Sequence, residues 1–113
     1  MKRTPLDSLQ REYHRLRNNL APIGFISQGS VLDRSTLQPA RSGYQWTRKL
    51  AGKTITLALS PEQFQSLRQA IENGRKLRRT VGKMEKLSRQ IIFGTVPDTQ
   101  RRKPLRKRVL GLI

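Results

Sequence analysis

Residues 44–63 read Tyr44-Gln45-Trp46-Thr47-Arg48-Lys49-Leu50-Ala51-Gly52-Lys53-Thr54-Ile55-Thr56-Leu57-Ala58-Leu59-Ser60-Pro61-Glu62-Gln63. Two structural signals meet in this stretch. With Ala51-Gly52 as a two-residue turn, Leu50 opposes Lys53, Arg48 opposes Ile55, Trp46 opposes Leu57 and Tyr44 opposes Leu59. Directly opposed residues share a face, so this register collects Tyr44, Trp46, Leu57 and Leu59 on one side. Gln45, Thr47, Lys49, Thr54 and Thr56 fall on the other, and a one-residue slip scatters the apolar set. The spacing predicts a β-hairpin over 44–59. Its aromatic cluster has two uses open to it, packing against a helix or stacking on bases, and packing is the favoured one. At Ser60 the pattern changes. Serine caps, Pro61 takes the first turn, and Gln63 closes a capping box, so a helix starts here.

Working outward, Phe64, Leu67, Ile71, Leu77, Val81, Met84, Leu87 and Ile91 continue at helical spacing to about Phe93. At about 100° per residue, Phe64, Leu67 and Ile71 cluster together, while Leu77 through Ile91 lie well round the helix from them. The apolar stripe therefore drifts, or the helix bends at Gly74 and Gly82. Its first half is expected to cover the hairpin. Its second half needs another partner, either an N-terminal helix or a second copy of the chain. That N-terminal helix is predicted over 4–20, from the Thr4-Pro5-Leu6-Asp7 start and the stripe Leu6, Leu9, Tyr13, Leu16 and Leu20. Residues 23–42 are broken by Gly24, Gly29 and Pro39, and support one short strand near 29–34. The expected class is α+β, with residues 1–94 as one small domain and 95–113 as a flexible basic tail.

The 113 residues carry 24 Lys+Arg against 7 Asp+Glu, a formal charge of +17. By segment, residues 1–22 hold +3, 23–60 hold +4, 61–94 hold +5 and 95–113 hold +5. The body alone thus carries +12. A chain so charged repels itself until a polyanion neutralises it, and nucleic acid is the expected polyanion. On the long helix Arg68, Arg75, Arg78, Arg79, Lys83, Lys86 and Arg89 fall in a broad arc largely away from the apolar stripe. The tail adds Arg101, Arg102, Lys103, Arg106, Lys107 and Arg108. Only Glu72 with Lys76 and Glu85 with Arg89 have the spacing of a solvated, self-paired helix face. Arginine outnumbers lysine 16 to 8, which suits bidentate phosphate contacts. The arc and tail are the candidate phosphate contacts. DNA and RNA both remain open.

Other chemistries are disfavoured. Gly52-Lys53-Thr54 has Thr47 where a P-loop needs its first glycine, and a strand follows where a helix is required. His14, the single histidine, has Glu12 pointing elsewhere on its helix and no nucleophile beside it. The seven carboxylates are scattered along the chain, unlike a two-metal site, and with no cysteine there is no plausible zinc ligand set. Neither enzyme activity nor a cofactor or metal is expected. No apolar run approaches the roughly 20 residues of a membrane span, and no signal peptide follows Met1-Lys2-Arg3. Binding to an anionic membrane surface is weak for want of interfacial aromatics on the second half of the helix. A cytoplasmic setting is expected.

Gly29-Ser30-Val31-Leu32, Gly43 through Thr54, and the Pro61-Glu62-Gln63 start of the Arg/Lys/Leu-rich helix together resemble a family of short, uncharacterised bacterial proteins. Those proteins tend to be encoded in or beside transposase genes. The resemblance spans about residues 29–92. Relatives often carry a cysteine pair between the first strand and the hairpin, whereas residues 35–42 here contain none, so no metal or redox role is carried over. The resemblance implies a mobile-element setting, with a transposase or another nucleoprotein component as partner. A nucleic-acid-binding accessory is the expected function. The alternative is an adaptor or homo-oligomer built on the Leu77–Ile91 seam and the apolar ending Val109–Ile113.

Overall fold

In the computed structural model the chain is described at residues 5–100, 103, 105, 106, 108 and 109. The elements run α1 (Pro5–Asn18), β1 (Ser30–Asp33), a short 3-10 turn (Arg34–Thr36), β2 (Tyr44–Leu50), β3 (Lys53–Leu59) and α2 (Pro61–Thr95). This is an α+β protein with a three-stranded antiparallel sheet of order β1-β2-β3. Its chain divides into two units, one of residues 23–77 and one of residues 1–22 with 78–113. The helix α2 contributes a half to each.

The unit of residues 23–77 is organised by the hairpin. Tyr44 pairs with Leu59, Trp46 with Leu57, Arg48 with Ile55 and Leu50 with Lys53, the register that the alternation of apolar residues predicts. Ala51 and Gly52 form the turn with φ of 51° and 79°, the doubly left-handed conformation that matches the twist of a two-residue hairpin. β1 joins the other side of β2, with Val31 opposite Trp46 and Asp33 opposite Tyr44. Val31, Tyr44, Trp46, Leu57 and Leu59 therefore share one face. The Tyr44 end of that face meets α2, whose Phe64 ring lies 4.4 Å from the Tyr44 ring, while Leu57 on the same face is 53% exposed. Tyr44 is thus used in packing against the helix. Phe64, Ala70 and Ile71 form the small core of this unit.

Gly29 adjusts the entry to β1. A Cβ there would lie 2.6 Å from both the Thr47 carbonyl oxygen and Trp46 Nε1, and its φ is +101°. With no side chain at that point the backbone passes close to β2, and the Gln28 carbonyl accepts a 2.8 Å hydrogen bond from Trp46 Nε1. After β1, the Asp33 carboxylate accepts from the Ser35 hydroxyl at 2.7 Å and from the Ser35 N–H at 3.0 Å. These bonds, the hydroxyl's first, hold the Asp33 carboxyl below its ordinary value.

The capping box at the start of α2 is closed in both directions. Gln63 N–H donates to Ser60 Oγ at 3.1 Å, and Ser60 N–H donates to Gln63 Oε1 at 2.9 Å. Gly74 and Gly82 interrupt nothing, since α2 is one helix from Pro61 to Thr95. Phe64, Ala70, Ile71 and Gly74 are buried in the first half. In the second half Thr80, Met84, Leu87, Ser88, Arg89, Gln90, Ile91 and Phe93 are the partly covered positions. That half belongs with α1, where Leu16 is buried and Leu6, Leu9, Tyr13 and Leu20 are half-buried. The second half of α2 and the N-terminal helix thus fall in the same unit. The Thr4 cap and the ending 110–113 lie outside the described residues.

Candidate nucleic-acid interface

In the unit of residues 23–77, Arg68 and Arg75 stand two turns apart on α2, so both point to the same side of the helix. There they line an open groove of about 690 Å³ with Ser30 and Val31 of β1 and the amides Gln65 and Gln69. Glu72 lies in the same groove, 3.7 Å from Arg75 Nη1, with both side chains more than half exposed. Such an exposed pair costs little to open, so Arg75 is available to a stronger anion. Arg41, Lys49, Lys53 and Lys76 are exposed in this unit, and Arg34 and Arg48 are half-buried.

In the other unit Arg78, Arg79, Lys83 and Lys86 are all exposed. At about 100° per residue, Arg79, Lys83 and Lys86 fall within an arc of about 60°, beside the half-buried stripe of Met84, Leu87 and Ile91. Arg89 departs from this set. It is half-buried, and its Nε is shielded from solvent with no hydrogen-bond partner among the described residues. Lys103, Arg106 and Arg108 are exposed, while Arg101, Arg102 and Lys107 lie outside the described residues. On α1 the Arg15 guanidinium is hydrogen-bonded to Glu12, with Nε to Oε2 at 3.0 Å. That bond first, then the charges of Arg15 and Lys83, hold the Glu12 carboxyl below its ordinary value.

Charge counting gives these placements their force. Seven carboxylates paired one-to-one with 24 cations would leave most of the cations without a side-chain anion. Glu12 and Glu72 are already engaged with arginines.

His14 is exposed, edge-on to Tyr13 at 6.0 Å, with Asp7, Gln10 and Arg11 around a shallow pocket on α1. No hydroxyl or thiol nucleophile lines that pocket. Among the described residues there is no group of three His, Cys, Asp or Glu side chains able to hold a metal ion. Nor is any described helix long and apolar enough to cross a membrane.

One surface feature escapes sequence reasoning. Phe25, in the glycine-broken segment before β1, is 92% exposed. The apolar run Ile23-Gly24-Phe25-Ile26 reads as loop, and nothing in its spacing says which side chain faces outward. No family model, curated protein or solved structure matches the chain.

Proposed function

We propose that this protein binds nucleic acid through its phosphate backbone, as a cytoplasmic accessory of a mobile element or another nucleoprotein complex. The observation that carries the reading is the row of exposed cations on α2 in a chain with 24 basic and 7 acidic residues. Arginine and lysine that meet phosphate displace its condensed counterions, and that release drives the association. Arg78, Arg79, Lys83 and Lys86 supply such a row in one unit, and Arg68 with Arg75 supply a second pair in the other. The mobile-element setting, with a transposase or similar machine as partner, rests on the family resemblance alone. No catalytic step is assigned to the chain.

Affinity for a nucleic acid measured against salt is the test. If about 6–10 phosphates are contacted, affinity should fall roughly 10³–10⁵-fold between 50 and 200 mM salt. Lys83→Gln with Lys86→Gln should flatten that dependence by about two phosphate equivalents. Binding insensitive to salt sinks the reading. Matched duplex DNA, single strands and structured RNA in competition separate the nucleic-acid classes.

A second reading, a homo-oligomer or adaptor, is favoured by one observation. Ile92 and Val96, one turn apart near the end of α2, are 51% and 58% exposed. Sedimentation at high salt tests it, since a monomer at every concentration removes self-association. Ile92→Glu should break an assembly that uses this exposed surface.

A further inference from the structure

The segment before β1 carries an aromatic side chain in the open and has its backbone tied down. Phe25 is 92% exposed, although its carbonyl accepts a 3.0 Å hydrogen bond from Asn73 Nδ2 on α2. Two residues on, Ser27 N–H donates to the Ala70 carbonyl at 3.0 Å. Asn73 is itself steadied, because its Oδ1 accepts from Gln69 Nε2 at 2.9 Å. The backbone around Phe25 is therefore anchored to the helix while the ring is left to solvent. Burying a phenylalanine is worth about 1.5–3 kcal/mol, so its exposure at an anchored position calls for an occupant.

The surroundings indicate what that occupant is. Phe25 lines a groove of about 440 Å³ with Gly24, Gln65, Ser66, Gln69 and Asn73. Gln65 and Gln69 also line the Arg68–Arg75 groove. One strip of α2 thus has an aromatic groove on one side, an arginine groove on the other, and two amide side chains common to both. All of these residues belong to the unit of residues 23–77.

We propose that this strip is a site for single-stranded nucleic acid, with one unpaired base stacked on Phe25 and an adjoining phosphate held by Arg68 and Arg75. A base inside a duplex already has both faces covered, so only an unstacked base can take an aromatic partner. The amides of Gln65 and Gln69 each offer a donor and an acceptor type that match base edges. An apolar peptide segment would use Phe25 but would have no use for two arginines beyond the amide strip. The site rests on the phosphate-binding reading and adds to it a strand preference and a stacking residue.

The experiment compares fluorescein-labelled oligothymidine with a labelled mixed-sequence duplex by fluorescence anisotropy, using the full chain. Phe25→Ala should weaken oligothymidine binding roughly 5- to 150-fold, the range for one base stacked on an aromatic side chain, and change duplex binding by less than about twofold. Phe25→Trp should restore it. Arg68→Gln with Arg75→Gln should weaken oligothymidine binding and lower its salt dependence. The melting temperature of the Phe25 variants should match the parent's, because the ring packs against little. Salt-sensitive binding that Phe25→Ala leaves within about twofold on oligothymidine, or weakens equally on duplex, overturns the site and leaves phosphate binding standing. Failure of the parent protein to bind any of the probes overturns both. Loss of self-association in Phe25→Ala, with oligothymidine affinity unchanged, overturns the site in favour of a protein partner.

Discussion

Gly29 and Ala51 show how single backbone positions bear on this fold from opposite directions. At Gly29 both geometry and space demand glycine: φ is +101°, and a Cβ would meet backbone and indole atoms at 2.6 Å. The Thr47 carbonyl is part of the sheet and cannot yield, so Gly29→Ala should destabilise by roughly 2–4 kcal/mol in urea unfolding. An unchanged midpoint would mean that β1 approaches β2 differently. At Ala51 the opposite holds. A φ of 51° places an ordinary L-residue in the left-handed region, where asparagine or glycine is preferred. Ala51→Asn should stabilise the chain by about 1 kcal/mol, read as a higher urea midpoint with the same denaturant slope. Phe25 belongs at this scale too, since two hydrogen bonds anchor the backbone around it to α2 while its ring stays exposed.

Among the elements, α2 carries both the packing and the candidate binding residues. Its start is written locally: Ser60 and Gln63 satisfy each other's backbone donors without help from the rest of the chain. Ser60→Ala should therefore cost about 1 kcal/mol, with the loss measured by denaturant unfolding and little change in nucleic-acid affinity. Its course is set by neighbours. Two interior glycines each cost about 1 kcal/mol of helix propensity, yet the helix runs through both. Burial of Gly74 in the first half shows one reason, a close-packed position where a side chain is absent. The drifting stripe records the same thing, because the first half packs on a sheet and the second belongs with α1. The basic arc occupies what the drift leaves uncovered.

For the whole molecule the governing quantity is the charge of +17. It acts with opposite sign on two measurable properties. Folding gathers like charges, so screening them should stabilise the native state. Binding to phosphate draws on the same charges, so screening should weaken it. The melting temperature should accordingly rise with sodium chloride over the range in which nucleic-acid affinity falls. A melting temperature that falls with salt would show that ion pairs outweigh repulsion in the native state, contrary to the ratio of 24 cations to 7 anions.

Local chemistry was enough to determine the hairpin register, the capping box and the alternation of helix and strands. Each depends on residues close together in the sequence: Tyr44 through Leu59 for the register, Ser60 through Gln63 for the cap. Placing the charge along the chain also needed only the sequence. Tertiary structure decided which surfaces stayed open. It turned Tyr44 and Trp46 inward against Phe64 and the Gln28 carbonyl, drew Arg89 partly out of solvent, and left Phe25 exposed. It also brought the amides of α2 between an aromatic groove and an arginine groove. The physical reason is range. Backbone hydrogen bonding and side-chain period act over a few residues, whereas exposure depends on which distant segment reaches a surface first, and the Asn73 bond to Phe25 spans 48 residues.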